Sequence, residues 1–160
     1  MPYSKREALH IRRAVPADAA NIRALTRAAY AKWVPLIRRE PLPMTADYDR
    51  AVKEHIIDLW EEEGELLALI EVVPKSDHLL IENLAVRPGE QGKGLGDALL
   101  GHAEGLARSL GLSEVRLYTN AAFAANLAFY EKRGYREFLR EAIVPGSIAV
   151  HLAKRLKTAD

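Results

Sequence analysis

The segment RPGEQGKGLGDALL, residues 87–100, constrains the fold and the chemistry of this chain more than any other. It carries four glycines within eight positions, 89–96, and then turns apolar at the spacing of a helix. Because glycine loses more conformational freedom on folding than any other residue, a cluster of glycines before a helix needs a structural reason. We predict that the backbone here comes very close to another group.

A loop that leaves a strand and enters a helix presents free backbone N–H groups at the positive end of the helix dipole. Glycines at 92, 94 and 96 would let those N–H groups approach an anion such as a phosphate, and Lys93 adds a positive charge. A second interpretation is a tight turn whose glycines only permit close packing. The loop alone does not decide between the two.

Two well-known phosphate loops do not match this segment. The P-loop requires G-x-x-x-x-G-K-[ST], but Gly94 follows Gly92-Lys93 and offers no hydroxyl for magnesium. The dinucleotide fingerprint G-x-G-x-x-G differs in its glycine spacing, and it follows the first strand of a parallel sheet. Neither motif is present.

Charge and cysteine content exclude several classes of function. The 160 residues carry 23 Lys+Arg against 22 Asp+Glu, a net charge of +1, so we predict neither nucleic acid nor a membrane as a partner. The chain has no cysteine, which excludes disulfides, thiolate metal sites and a cysteine nucleophile, and this agrees with a cytoplasmic protein. The N-terminal MPYSKREALHIRR lacks the apolar core of a signal peptide. We predict no metal site, because the five histidines show no ligand spacing.

The pattern along the chain predicts the order β-α-α-β-β-β-α-β-α-β-β. The first helix has Ile22, Leu25, Ala29 and Trp33 on one face, and Thr45 is the predicted N-cap of a second helix over about 46–57. Three strand-like runs follow, the first two joined by a turn at 63–64. We expect one α/β (α+β) domain over 1–160, with its core at about 10–156.

The glycine segment resembles the acyl-CoA loop of the GNAT superfamily of N-acetyltransferases. That loop follows a strand and reads [Arg/Gln]-x-x-Gly-x-[Gly/Ala], which is similar to Gln91-Gly92-Lys93-Gly94-Leu95-Gly96 here. The preceding Val-x-Pro, at 86–88, is also common in the family.

A second segment, NAAFAANLAFYEKRGYRE, resembles the other signature of the family, an Asn and a Tyr four apart on a helix, then Gly-[Tyr/Phe]. Asn126, Tyr130, Gly134 and Tyr135 occupy these positions. The resemblance covers roughly residues 10–156 and is weakest over 30–60. It implies a mixed, mostly antiparallel sheet of about seven strands with about four flanking helices.

The resemblance also implies which residues hold acetyl-CoA. The backbone N–H groups of the loop would cradle its pyrophosphate; they belong to Gln91, Gly92, Lys93, Gly94, Leu95 and Gly96. Main-chain groups around Leu84 and Val86 would hold the pantetheine arm. A bulge in that strand would aim the Leu84 N–H at the thioester oxygen, where it would stabilise the developing oxyanion.

Tyr130 and Asn126 are the helix residues to which the resemblance gives roles. Tyr130 would protonate the leaving thiolate, since a phenol has a pKa near ~10 and a thiol near ~8.5. Asn126, one turn earlier, would hydrogen-bond the cofactor or a water. Periodicity alone favours Tyr130 as a core aromatic and Asn126 as a surface polar residue; the adjacent Gly134-Tyr135 and the distant glycine loop favour the functional roles instead.

Glu82 is the candidate base, because it interrupts the apolar strand HLLIENLAV and a carboxylate there needs a partner or a task. Family members often carry a glutamate hereabouts that deprotonates the amine; a structural ion pair is the alternative. Asn83 could orient the substrate. Tyr30 and Trp33 lie in segments that wall the acceptor pocket in the family, or else belong to the core.

We therefore expect an N-acetyltransferase that transfers acetyl from acetyl-CoA directly to the primary amine of a small molecule in a ternary complex. The absence of cysteine removes a cysteine acyl-enzyme. A protein N-terminus or lysine is the alternative acceptor, and a non-catalytic acyl-CoA-binding module is the alternative class. A homodimer is possible.

Overall fold

A seven-stranded sheet forms the centre of the computed structural model, which describes residues 10–157. The strand order is β1-β2-β3-β4-β5-β7-β6, and all neighbours are antiparallel except β4 and β5, which are parallel. The strands are β1 Ile11–Arg13, β2 Ile56–Glu62, β3 Glu65–Pro74, β4 Leu79–Val86, β5 Glu114–Asn120, β6 Arg136–Val144 and β7 Ser147–Arg155.

Helices flank this sheet on both faces. The α-helices are α1 Ala19–Tyr30, α2 Val34–Ile37, α3 Leu42–Thr45, α4 Tyr48–Glu54, α5 Leu95–Ser109 and α6 Ala124–Lys132. Because α2 and α3 are single turns of four residues, four longer helices remain within residues 10–157. The predicted mixed, mostly antiparallel sheet with about four helices is confirmed.

Two apolar layers lie on opposite faces of the sheet. Ala68 and Ile70 belong to the layer under α5 and α6, whereas Leu69 belongs to the layer under α1 and α4. This is the alternation expected of a strand buried on both faces. The glycine loop, residues 87–94, joins β4 to α5. It therefore lies at the edge of the apolar layer under α5 and α6.

The structure confirms the predicted hairpin and corrects one helix start. Glu63 and Gly64 both have positive φ, 53° and 79°, as a tight two-residue hairpin turn requires. Thr45 is not the N-cap of the second helix: α4 begins at Tyr48, and the Asp47 side chain accepts the N–H of Arg50 at 3.1 Å. Thr45 instead ends α3, the short turn that begins after Pro41.

A bulge at Glu82 reshapes strand β4. Ile81 pairs with Val72 and Asn83 pairs with Glu71, so Glu82 has no opposite residue on β3. The extra residue reverses the alternation, and Ile81 and Leu84 consequently pack in the same apolar layer. Pairing between β4 and β5 also ends at Ile81, so the two strands separate just where the bulge occurs.

Two features of the surface bear on partners. Large apolar side chains are exposed on the β6–β7 hairpin, and these are Phe138, Leu139, Ile143, Val144 and Ile148. A homodimer stays a prediction.

No helix within residues 10–157 is long and apolar enough to span a membrane.

A buried carboxylate links β1, β2 and α5. Asp58 is 4% exposed and accepts hydrogen bonds from Arg13 Nε and His102 Nε2, both at 2.6 Å. Burial alone would raise the pKa of Asp58, but the hydrogen bonds from His102 and Arg13 outweigh it and hold this pKa below 3.8. The ionised form is therefore the one that stabilises the fold.

We expect Asp58→Asn to lower the free energy of unfolding at pH 7 by about 3 kcal/mol, because it leaves two donors facing an amide. Since the folded pKa is depressed, the contribution of Asp58 is present above pH 3.8 and is lost as the pH falls through the folded value. Urea unfolding of both proteins from pH 7 to pH 3 measures this. Equal stability of the two proteins at pH 7 would show that the hydrogen bonds of Asp58 contribute nothing to the free energy of unfolding.

Candidate active site

A cleft beside the glycine loop, which we call the loop cleft, has a volume of about 610 Å³. The glycine loop, the end of α1 and helix α6 form its walls. Predicted cofactor residues that line it are Leu84, Val86, Gln91, Gly92, Gly94, Leu95, Gly96, Asn126 and Tyr130. The structure thus brings together residues from strand β4, the loop and α6 that are far apart in sequence.

The sequence offers two reasons for the glycines, binding of an anion and close packing, and the structure gives evidence on both. Gly92 and Gly94 have φ of 80° and 87°, and a Cβ added at either would meet no atom within 4 Å. Their backbones therefore stand open toward the cleft. A Cβ at Gly96 would lie 3.4 Å from the Phe129 ring, so Gly96 allows helix α5 to approach α6 closely.

Polar contacts hold the loop against its surroundings. The Gln91 side chain donates to the carbonyl of Val86 at 3.1 Å and accepts from Lys32 Nζ at 3.2 Å. Lys93 pairs with Glu90 at 3.1 Å and does not line the cleft. The side chain of Gln91 thus fixes the start of the loop to the end of β4, while its backbone remains the candidate ligand.

Two cations that the sequence analysis missed also line the loop cleft. Lys32 follows α1, and Arg133 follows α6. The Arg133 guanidinium lies 3.7 Å from the centre of the Phe129 ring and pairs with Asp97 at 2.7 Å. The segment EKRGY put Arg133 directly before a recognised motif glycine, so this signal was available in the sequence.

A smaller cavity, the inner pocket, has a volume of about 80 Å³ and lies beyond the splayed ends of β4 and β5. Its polar wall includes Glu82 from β4 and Asn120 from β5, together with Arg39 from the segment after α2. Neither Arg39 nor Asn120 was singled out in the sequence, because neither belongs to a motif.

The loop cleft and the inner pocket meet at four residues that line both, Tyr30, Leu84, Asn126 and Tyr130. Each of the four was a predicted site residue. A molecule in one cavity can therefore reach a molecule in the other only beside these side chains.

Tyr130 presents a free hydroxyl at this junction. Its ring packs edge-on against Phe129 and Tyr135, with centroids 5.1 and 5.7 Å apart. The hydroxyl makes no hydrogen bond with the residues between 10 and 157. Burial raises its pKa above the usual 10.0, although Arg133 opposes this, so the phenol stays protonated at neutral pH.

Tyr30 and Asn83 form a buried network below the junction. The Tyr30 hydroxyl donates to Asn83 Oδ1 at 3.0 Å, while Asn83 Nδ2 donates to Thr26 and Tyr48 at 3.1 and 3.3 Å. Since the Asn83 amide is already engaged, these contacts favour a role in holding Tyr30. That Asn83 itself orients a substrate stays a prediction.

Leu84 reaches the junction of the two cavities from strand β4. Burial raises the pKa of Tyr30, and the backbone of Leu84 opposes that rise. Leu84 follows the bulge at Glu82, in the part of β4 that no longer pairs with β5. The bulge that was predicted near Leu84 is therefore present, and it lies two residues earlier in the strand, at Glu82.

Glu82 lines the inner pocket and also a neighbouring cavity on the side of α4. Its carboxylate makes no hydrogen bond or ion pair with the part of the chain that the structure describes, so the alternative of a structural ion pair gains no support. Glu71, which lines the neighbouring cavity, shares a hydrogen bond of 2.6 Å with His55 Nδ1. Burial raises the pKa of Glu71, His55 opposes this, and the charge of Glu82 raises it further.

Trp33 lies in the loop cleft and does not line the inner pocket. Its ring stacks on Phe123 at 4.4 Å, and Lys32 Nζ lies 5.0 Å from its centre. Of the two predicted acceptor-wall aromatics, only Tyr30 reaches the inner pocket.

Comparisons with known proteins agree with this geometry. Residues 22–135 match the model of the acetyltransferase (GNAT) family. No curated protein matches the chain. Solved structures with the same fold include PaiA N-acetyltransferase from Thermoplasma acidophilum in complex with coenzyme A, with 19% identity, a TM-score of 0.77 and coverage of 91% of this chain and 97% of that one.

Two further solved structures share this fold. The ribosomal-protein-S18-alanine N-acetyltransferase from Escherichia coli is 21% identical, with a TM-score of 0.75 and coverage of 94% and 95%. IAA acetyltransferase from Bacillus cereus is 22% identical, with a TM-score of 0.68 and coverage of 91% and 98%. The family model spans well over half of the 160 residues, so the chain belongs to the GNAT family and is an acyl-CoA-dependent acetyltransferase.

Proposed function

We propose that the protein acetylates the primary amine of a small molecule, with acetyl-CoA in the loop cleft and the amine in the inner pocket. The observation that carries this proposal is the junction of the two cavities at Tyr30, Leu84, Asn126 and Tyr130. Direct transfer needs the two substrates to meet at one point, and the junction supplies a donor amide and a protonated phenol there.

The residues of the loop cleft fit coenzyme A. Gly92 and Gly94 line the loop cleft just before α5, and a Cβ at either would meet no atom within 4 Å. At the start of a helix, free backbone N–H groups and the helix dipole favour a pyrophosphate. Lys32 and Arg133 add positive charge along the same cleft. The PaiA N-acetyltransferase structure, which has this fold, is a complex with coenzyme A, and this supports the assignment.

Acetyl-CoA supplies the activated acyl group, and the protein supplies proton transfers and orientation. Glu82 accepts the proton of the attacking amine, directly or through water. The N–H of Leu84 stabilises negative charge on the thioester oxygen, and Tyr130 returns a proton to the departing sulfur. Asn126, on the same face of α6 as Tyr130, contacts the cofactor or a water.

The size of the inner pocket favours a small acceptor over a polypeptide. Its volume of about 80 Å³ is far below that of the loop cleft, and prolines and leucine of the 41–43 segment form one wall. A protein N-terminus or lysine remains the second candidate, since this fold is shared by the ribosomal-protein-S18-alanine N-acetyltransferase from Escherichia coli. The cytoplasmic location stays a prediction.

A turnover screen tests the function. Purified protein is incubated with acetyl-CoA and a panel of primary amines and short peptides, and released thiol is measured. Acetyl-CoA binding without turnover of any amine would favour the non-catalytic binding module.

Glu82→Gln tests the base. We expect the variant to lose about 10²-fold in rate at neutral pH and to recover at high pH, where the acceptor is already a free amine. The measurement is kcat/KM against pH for both proteins. An equal loss at every pH would indicate that Glu82 only positions the substrate.

Glu71→Gln is the matched comparison, because Glu71 is the neighbouring buried carboxylate but does not line the inner pocket. It should leave the pH profile of turnover unchanged apart from a change in stability. If the pH-dependent loss appears in Glu71→Gln instead, the base is the His55–Glu71 pair and the assignment of Glu82 is wrong.

A further inference from the structure

Two side chains that line the inner pocket, Arg39 and Asn120, each carry a buried hydrogen-bond donor without an acceptor. Arg39 Nε and Asn120 Nδ2 are shielded from solvent and have no hydrogen-bond partner among residues 10–157. Buried polar groups in native proteins are nearly always hydrogen-bonded, so two unsatisfied donors on the side chains of one cavity wall need an explanation. A ligand with acceptor oxygens provides one.

Arg39 differs from the arginines around it. Arg27 pairs with Glu40 at 2.6 Å and Arg50 with Glu54 at 2.9 Å, whereas Arg39 forms no ion pair with any residue from 10 to 157. A partly buried guanidinium without a counter-charge favours an anion, and its planar fork suits a carboxylate.

Asn120 adds a second donor with a fixed orientation. Its Oδ1 accepts the N–H of Ala122 at 2.9 Å, which assigns the amide nitrogen to the unsatisfied position. In the Asn120 amide, therefore, the donor and not the acceptor is unsatisfied.

The charged side chains that line the inner pocket, among residues 10–157, are Arg39 and Glu82. One is a cation without an ion pair and the other is an anion without one. A cavity with one free charge of each sign complements a molecule that carries both an ammonium and a carboxylate. The remaining wall is mixed, with apolar side chains such as Ile37, Leu42 and Phe123 beside uncharged polar ones such as Thr119 and Asn126.

We propose that the acceptor is a small amine that also bears a carboxylate, an amino-acid-like zwitterion. Its carboxylate accepts hydrogen bonds from Arg39 and Asn120, and its amine faces Glu82. This inference rests on the proposed function and narrows its acceptor class. It also separates free amino acids from protein N-termini, which have no carboxylate beside the amine.

The test compares amines that differ only in the carboxylate. Leucine, leucinamide and 3-methylbutylamine share one side chain, and equivalent sets are built on glycine, alanine and β-alanine. Values of kcat/KM are compared per concentration of neutral amine, because the amines differ in pKa. We expect the carboxylate form of the preferred set to exceed the other two by about 10- to 100-fold.

Variants then connect this preference to the pocket. Arg39→Gln should remove most of the preference, chiefly through KM, and leave amines without a carboxylate unchanged. Asn120→Asp keeps the acceptor for the Ala122 N–H but replaces the free donor by an anion, so it should lower turnover of carboxylate amines alone. Arg38→Gln, at the exposed neighbouring arginine, is the control and should match the wild type.

The outcomes distinguish this inference from the function on which it rests. Equal or better turnover of the amines without a carboxylate would overturn the inference and leave the acetyltransferase standing. If no amine is turned over, the proposed function is overturned. Calorimetric titration of leucine and 3-methylbutylamine into the CoA-loaded protein then decides: a preference for leucine that Arg39→Gln abolishes supports the zwitterion pocket, and no preference overturns it.

Discussion

Gly94→Val is expected to abolish binding of coenzyme A while the protein stays folded. A Cβ at Gly94 would stand in open space at the start of α5, so the valine side chain enters the loop cleft without a clash inside the protein. It would cover the N–H groups to which the pyrophosphate binds. Losing two charge-assisted hydrogen bonds corresponds to roughly 100-fold or more in affinity, measured by calorimetry with CoA.

Gly111→Val is the matched control for this prediction. Gly111 follows the other end of α5 and has φ of 75°, close to the 87° of Gly94, and a Cβ there also meets no atom within 4 Å. Both variants therefore carry the same backbone strain, about 1–2 kcal/mol for a side chain in the left-handed region. Only Gly94→Val should lose CoA binding. Unchanged affinity in the folded Gly94→Val protein would exclude the loop as the pyrophosphate site.

The parts of the site that could be predicted are those whose chemistry is local. Glycine at 92 and 94 permits the positive φ that both residues adopt, and the four-residue spacing of Asn126 and Tyr130 places both on one side of a helix. The hairpin at 63–64 is local in the same sense. These features needed no knowledge of what packs against them.

The rest depends on changes of backbone geometry that spacing does not reveal. Trp33 continues the helical pattern of Ile22, Leu25 and Ala29, but a 3₁₀ turn at Ala31–Trp33 rotates it into the loop cleft. The bulge at Glu82 likewise reverses the alternation of strand β4, so that Leu84 packs in the same apolar layer as Ile81, and spacing does not reveal it.

Arg39 and Asn120 were missed for a different reason. Arginine and asparagine are common surface residues, and what distinguishes these two is the absence of a partner for Arg39 Nε and Asn120 Nδ2. That property appears only once the neighbouring elements are assembled around the pocket. Glu71 could have been noticed, because it interrupts the run LALIEVV much as Glu82 interrupts its own strand.

Tyr130→Phe is expected to lower kcat while leaving acetyl-CoA affinity and stability nearly unchanged. The substitution keeps the ring, which packs against Phe129 and Tyr135, and removes only the hydroxyl at the junction of the two cavities. General acid catalysis supplies about 10²–10⁴-fold. We expect a loss near the lower end, about 10²-fold, because the raised pKa of Tyr130 makes it a weaker acid and a thiolate can leave without protonation.

Tyr135→Phe is the matched control for Tyr130→Phe, because it also removes a buried tyrosine hydroxyl but not the proposed general acid. Tyr135 is also a buried tyrosine in contact with Tyr130, but its hydroxyl donates to Glu104 at 2.9 Å and lines neither cavity. It should therefore reduce stability and leave kcat unchanged. The measurement is steady-state kinetics of the three proteins, with a pre-steady-state burst experiment to show which step limits turnover. If chemistry limits turnover and Tyr130→Phe retains the wild-type kcat, the Tyr130 hydroxyl is not the acid, and its ring serves packing alone.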